Sequence, residues 1–287
     1  MITLNKDTIQ LLSFTILALL FLALNSILCK VALVNNYIDA YTFTFFRLFF
    51  GALTLIFIYY YKNKRITISF NKNWISSFML FIYAICFSYS YISLDAGFGT
   101  LLLFGIVQIT MLLSSIFFKE KINLQKILGI IIAFFGLVYL LYPKESFELS
   151  YFHTFLMISS GIAWAFYSIL GKNSTDAISN TMDNFIKATF FAVLFYLIFN
   201  LNEMYISFNG ILLAFVSGSL TSTIGYVIWY KILPQIQIIT ASVIQLFVPI
   251  ISIVFSVIFL KELLTFDLLL STIIISIGIL LSIISRK

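Results

Sequence analysis

Apolar stretches of about 18 residues or more alternate with short polar breaks along the whole chain, and this pattern predicts ten helical spans. They run over about 11–34, 39–61, 74–93, 97–118, 123–142, 152–171, 184–200, 208–230, 238–260 and 266–285. A helix of roughly 20 apolar residues crosses about 30 Å of hydrocarbon. A membrane-spanning β-barrel would need roughly ten-residue segments of strict alternation, which this chain lacks, so backbone hydrogen bonding in lipid favours helices. The linkers are short, which makes consecutive helices antiparallel neighbours. Only Asn63 to Asn73 and Lys172 to Asp183 are long enough to move freely.

The pattern also repeats itself. Ile116 to Tyr142 and Ile258 to Ile284 each open on an apolar run ending in Phe-x-Lys-Glu, turn through a short polar hinge, and continue as a long apolar run with one late glycine. Lys119 and Lys261 lie 142 residues apart, as do Gly136 and Gly278, and Lys30 and Lys172. Self-similarity on this scale means two copies of one unit, residues 1–145 and 146–287. Five spans per copy is an odd number, so the second copy enters the membrane from the opposite side. The expected fold is all-α and integral to the membrane, with ten transmembrane helices as two inverted five-helix repeats around a central cavity.

Composition agrees with this class. Apolar residues make up 62% of the chain and charged ones 10%, against roughly 45–50% and 25% in soluble domains. The net charge of +6 orients the chain and does not point to nucleic acid. With the N-terminus inside, Lys6, Lys62, Lys64, Arg65, Lys72, Lys119, Lys121, Lys126, Lys172, Lys187, Lys231, Arg286 and Lys287 fall on the inner side. Lys30, Lys144 and Lys261 fall outside, and Arg47 stays within a span. The bias puts both termini in the cytoplasm and the protein in the cell membrane as a multi-pass chain. The first apolar run is too long for a signal-peptide core and lacks a small-x-small cleavage site, so it reads as the first span. Cys29 and Cys86 lie inside spans and read as buried free thiols.

Asn25-Ser26 to Lys30 in the first span, Trp164-Ala165 to Gly171-Lys172 in the sixth, Pro249 in the ninth and the two Lys-Glu hinges resemble the EamA domains of the drug/metabolite transporter superfamily. The resemblance covers essentially the whole chain as two EamA units. It implies a ten-helix fold with a central cavity, and export or exchange of small metabolites such as amino acids. It leaves the substrate open. The first half departs from the pattern, because Val107 stands where the second half has Pro249, so a proline kink is expected in only one of the paired helices.

Polar groups inside spans are the candidate chemistry. An arginine at the depth of Arg47 costs about 2.5–3.5 kcal/mol on insertion scales unless it snorkels or pairs. Its functional reading is an anion or carboxylate contact; its structural reading is an arginine reaching the outer interface or backbone carbonyls. Asn25, Gln108 and Gln245 are mid-span amides that either grip a substrate or join two helices. Gln108 and Gln245 do not match on the 142-residue shift. Trp164 and Tyr167 sit mid-span beside Gly161 and Ala163, which allow close approach, and together with the resemblance they suggest a cavity wall. Tyr83, Tyr226 and Trp229 resemble them. Tyr59, Tyr60 and Tyr61 beside Lys62 read as interface belt, and Asp183 with Lys187 as an interfacial i,i+4 pair.

Every carboxylate falls at a predicted helix end or loop, so the buried acid of a proton-driven cation exporter is not seen. Asp95, near the outer end of the third span, is then the one candidate for proton coupling. His153 is the single histidine, and no P-loop or dinucleotide fingerprint appears, so neither metal, cofactor nor enzymatic activity is expected. The partners expected are a small-molecule substrate and the lipid bilayer, without nucleic acid; the oligomeric state stays open. The leading expectation is a secondary transporter that exports amino acids or similar small metabolites by alternating access. An exchanger of larger, nucleotide-like or S-adenosylmethionine-like compounds and a non-transporting membrane anchor are the two rivals.

Overall fold

The computed structural model describes residues 6–69, 71–118, 124–141, 150–199 and 204–284. These are helical almost throughout: α1 (Lys6–Val34), α2 (Ala40–Asn63), α3 (Trp74–Ser90), α4 (Ala96–Phe117), α5 (Leu124–Leu141), α6 (Tyr151–Gly171) and α7 (Ala177–Phe199). The chain continues through α8 (Phe208–Val216), a π-helical segment (Ser217–Ser222), α9 (Thr223–Ile232), α10 (Ile238–Gln245), α11 (Phe247–Phe255) and α12 (Phe266–Ile284). Among the described residues, seven stretches are long and apolar enough to cross a membrane, including the composite Phe208–Gln235 and Ile238–Leu260. Trp74–Ser90, Ile127–Gly136 and Phe266–Gly278 are shorter apolar helices. Among the described residues the extended pairing is one antiparallel bridge, Ile38 with Ile206.

The linkers gather at two ends of the bundle. At one end Asp39 caps α2 by accepting from Thr42 N at 2.9 Å, and its other oxygen accepts from Tyr205 N at 2.9 Å. Lys30 Nζ reaches Tyr91 O at that end, 3.3 Å away. There Glu262 accepts from Ala96 N (2.6 Å) and Gly97 N (3.1 Å), so a carboxylate of the second half caps a helix of the first. At the opposite end Asn73 Nδ2 donates to Asn180 and Asp183, and Lys172 Nζ donates to Ile236 O at 3.2 Å. Lys30 and Lys172 therefore make similar contacts in their own halves, although Tyr91 and Ile236 do not match on the 142-residue shift. Each closes the first long helix of its half onto the linker between α3 and α4 or between α9 and α10. Of the two Lys-Glu hinges, Lys119-Glu120 falls outside the described residues.

Gly136 and Gly278 serve one contact, the packing of α5 on α12. A Cβ on Gly278 would lie 2.4 Å from Gly129 O, and one on Gly136 would lie 2.8 Å from Ile275 Cγ1. Only the bare backbone permits that approach.

Three expectations need correction. First, α7 begins at Ala177 rather than near 184, because Asp176 caps it from outside by accepting from Ile178 N and Ser179 N. The polar run after it is helix packed nearly all round: Thr181, Met182, Asp183 and Asn184 are buried in succession. Second, neither long linker is free. Lys187 Nζ donates to Ser69 O and Lys72 O, while Asp183 accepts from Ser69 N and Asn73 Nδ2. The two side chains hold the α2–α3 linker and are buried, rather than forming an exposed pair at the interface. Third, Tyr60 and Tyr61 are exposed as expected of a belt, but Tyr59 is buried and bonds Thr67 Oγ1 at 2.6 Å.

The proline asymmetry is realised. α4 is continuous through Val107, whereas its counterpart breaks between Gln245 and Phe247. Pro249 lacks an N–H, and its ring crowds the carbonyl four residues back, which belongs to Gln245. Cys29 and Cys86 are free thiols.

Candidate functional site

Helical spacing alone lines up several rings on single faces. Tyr83 and Phe87 on α3 and its C-cap Tyr91 succeed one another at i,i+4, with ring centroids 5.3 and 4.7 Å apart. Ser222, Tyr226 and Tyr230 follow the same spacing across the π-helical segment and α9. On α6, Trp164 and Tyr167 are one turn apart, 5.4 Å between centroids.

Packing brings these faces together at the centre of the bundle. The Trp164 ring lies 4.8 Å from Tyr83 and 4.8 Å from Tyr226, and Tyr167 lies 4.8 Å from Tyr230. Arg47 enters this cluster from α2, buried to 1% exposure. Its Nε donates to Ser222 Oγ at 2.9 Å, and its Nη2 donates to the hydroxyls of Tyr226 (2.5 Å) and Tyr83 (3.3 Å). The guanidinium carbon also stands 5.2 Å from the Phe87 ring centroid and 5.5 Å from that of Tyr83. Among the described residues Arg47 thus bonds no backbone carbonyl and is buried, unlike the arginine of its structural reading. It is held by hydroxyls and aromatic faces at the core.

Two irregular helices supply the polar side of the cluster. The π-helical segment turns Ser217, Thr221 and Ser222 toward α1, where all three donate to Asn25 Oδ1 at 3.0, 2.6 and 3.2 Å. Inserted π turns recur at functional sites because they redirect side chains within a helix. The segment lies hard against α2: a Cβ on Gly218 would fall 2.3 Å from Arg47 O. The break before Pro249 places Gln245 at the end of α10, with its Oε1 accepting from Trp164 Nε1 at 2.6 Å and its Nε2 meeting Met111 Sδ at 3.5 Å.

Below the rings, at the Lys172 end, a cavity of about 380 Å³ is lined by Asn71, Asn73, Ser76, Asn173, Asn180 and Tyr230 among others. Tyr230 separates it from the cluster. Its hydroxyl meets Ser76 Oγ at 2.9 Å, receives from Asn184 Nδ2 at 3.3 Å and donates to Tyr167 O at 3.1 Å.

Of the residues expected from sequence, Asn25, Arg47, Tyr83, Trp164, Tyr167, Tyr226 and Gln245 meet in this cluster. Gln108 is buried on α4, one turn before Met111, and its Nε2 lacks a hydrogen-bond partner among the described residues. Trp229 is buried but turns to α6, donating to Ser168 Oγ at 3.1 Å. Asp95 is exposed before α4; the carboxylate that engages that helix start is Glu262. Sequence reasoning missed Ser217, Thr221, Ser222, Asn184 and Tyr230. The i+4 step from Tyr226 pointed to Tyr230, and the small polar run from Ser217 to Thr223 carried the signal for the rest.

The sequence pattern of the EamA-like transporter family matches twice, over residues 10–142 and 152–284. Among curated proteins, "Uncharacterized protein PA1977" of Pseudomonas aeruginosa is 39% identical over 84% of this chain and 83% of its own. "Uncharacterized transporter YoaV" of Bacillus subtilis is 23% identical over 83% of this chain and 85% of its own. One solved crystal structure superposes with a TM-score of 0.73 at 13% identity, covering 94% of this chain and 98% of that one, a likeness of fold.

Proposed function

Because the chain belongs to the EamA-like transporter family, we propose that it is a secondary transporter that exports amino acids or similar small metabolites across the cell membrane by alternating access. One observation carries this reading: the buried cluster is built jointly by both halves. Arg47 and Tyr83 of the first half bond Tyr226 and Ser222 of the second, and the Trp164 ring of the second half lies against Tyr83 of the first. A site shared by two halves changes shape when they rock against each other, which is how repeat-built transporters present a central site to either side.

Ten spans in two inverted halves, residues 1–145 and 146–287, are part of the same proposal. The similar brackets made by Lys30 and Lys172 support it, because they lie at opposite ends of the bundle. The contact of Gly136 and Gly278 across α5 and α12 supports it as well. Both termini are then cytoplasmic, and the amide-rich cavity beside Tyr230 is the cytoplasmic vestibule. Tyr230, held by Ser76, Asn184 and Tyr167, is the door between vestibule and rings. Aromatic walls with a few oriented polar groups suit a small amphiphilic ligand.

Counterflow in proteoliposomes with amino acids, nucleosides and S-adenosylmethionine tests the reading. Uptake of labelled amino acid into vesicles preloaded with it is the expected result. Trp164→Ala should lower that flux by roughly tenfold or more, as loss of a buried aromatic anchor does, while circular dichroism stays unchanged. Flux of nucleosides or S-adenosylmethionine alone would replace amino acids by the larger class. No flux with any solute, from folded protein, would overturn transport.

A further inference from the structure

Besides the Tyr167 hydroxyl, two N–H donors of the cluster lack an acceptor among the described residues. Arg47 Nη1 and Asn25 Nδ2 are buried without a hydrogen-bond partner among the described residues, in side chains exposed by 1% and 0%. The remaining polar atoms of both side chains are engaged. Arg47 Nε and Nη2 serve Ser222, Tyr83 and Tyr226, and Asn25 Oδ1 accepts from three hydroxyls. Ser222 Oγ touches both residues, 2.9 Å from Arg47 Nε and 3.2 Å from Asn25 Oδ1, so one hydroxyl links the two side chains that carry the free donors. They are N–H groups, and what completes them is an acceptor.

Charge narrows the acceptor. Every hydrogen-bond partner that the described residues give Arg47 is a neutral hydroxyl. The other buried cations have fixed acceptors, Lys30 on Tyr91 O and Lys187 on the carbonyls of Ser69 and Lys72. The buried carboxylate Asp183 is committed to Ser69 N and Asn73 Nδ2. Among the described residues Arg47 therefore bonds no carboxylate in a low-dielectric core, and of its three nitrogens Nη1 alone is unused. A charged N–H donor of this kind suits a carboxylate oxygen in charge.

We infer that Arg47 Nη1 and Asn25 Nδ2 bind the carboxylate of the transported solute, with Tyr83, Trp164 and Tyr226 against its apolar or aromatic body. This rests on the transporter reading and sharpens it. The side chains described around Arg47 offer hydroxyls, amides and rings but no carboxylate, so an ammonium on the solute gains no charge partner there. The solute class is carboxylic acids with a compact apolar body, and the 2-amino group is dispensable. A 2-oxo acid binds as its amino acid does.

Isothermal titration calorimetry on the full chain in detergent and chloride-free buffer tests this, with counterflow run beside it. The probes are phenylalanine, phenylpyruvate, phenylalaninamide and phenethylamine, and the four corresponding leucine compounds. The wild-type chain should bind both acids of a series roughly tenfold or more tighter than the amide and the amine, since a site built for a polar group rejects analogues lacking it. In Arg47→Gln the preference should vanish, and Arg47→Lys should restore part of it. Equal binding of acid and amide by the wild-type chain overturns the inference, whether or not the variants fold. So does a folded Arg47→Gln chain that still prefers acids, or a failure of all eight compounds to bind. The two readings separate cleanly: nucleoside flux without acid binding removes the carboxylate site and keeps transport, whereas acid binding without flux keeps the site and removes transport.

Discussion

Tyr226 is the residue on which the cluster turns. Its hydroxyl accepts from Arg47 Nη2 and donates to Tyr83 at 3.1 Å, and its ring packs on Trp164. Tyr226→Phe keeps the ring and removes the bridge, leaving Nη2 with Tyr83 alone. Hydrogen bonds to charged groups contribute about 1.5–3 kcal/mol, so the variant should unfold at a lower temperature in detergent than the wild-type chain. It should also lose counterflow activity. An unchanged melting temperature would mean that the bridge contributes nothing to the core. Its ring type was legible in the sequence, but its place four residues from the end of the 208–230 span gave a weaker signal than that of Trp164. Its partner Arg47 lies 179 residues away in sequence, and no local pattern records such a pairing.

At the scale of elements, the informative helices are the imperfect ones. Pro249 announced the break in Ile238–Leu260 because a missing N–H and a ring clash are local effects. The π-helical segment had no such marker; only a run of small polar residues hinted at it. Gly218 is what lets this segment touch α2. Gly218→Ala puts a Cβ 2.3 Å from Arg47 O, and backbone cannot yield as a side chain tip can. Overpacking of this kind costs about 1–3 kcal/mol. Because α2 must retreat with Arg47 on it, flux should fall more than stability does. Wild-type flux from Gly218→Ala vesicles would show that the close approach is incidental. The start of α7 was hidden for another reason. A hydropathy pattern sees apolar residues, whereas Asp176 begins that helix by capping and Asp183 and Lys187 bury themselves by gripping a neighbouring linker.

For the whole molecule, the two-ended arrangement of linkers is the feature to test. Single cysteines, introduced after Cys29 and Cys86 are replaced by Ala, should report two sides. Thr67→Cys and Thr175→Cys should react only from the cytoplasmic side of intact cells, and Asn36→Cys and Ser93→Cys only from outside. All four positions are exposed. Labelling of Thr67→Cys and Asn36→Cys from one side would break the inverted arrangement. The expectation follows from the lysine bias, and the contacts at the two ends agree with it, with Asp39 meeting Tyr205 at one and Asn73 meeting Asp183 at the other.

The sequence by itself determined the class of molecule, the positions of most helices and the presence of two copies of one unit. Each of these follows from one-dimensional properties: apolar run length against bilayer thickness, charge at helix ends, and spacing repeated at 142 residues. It also supplied most of the residues that meet at the centre, because polar and aromatic groups at mid-span are conspicuous there. Only the tertiary structure decided which of them meet, setting Trp229 against Ser168 and Trp164 against Tyr83. It alone left Arg47 and Asn25 with unused donors. The physical reason is that hydrogen-bond satisfaction is a property of pairs, and these pairs are closed by helices from opposite halves of the chain.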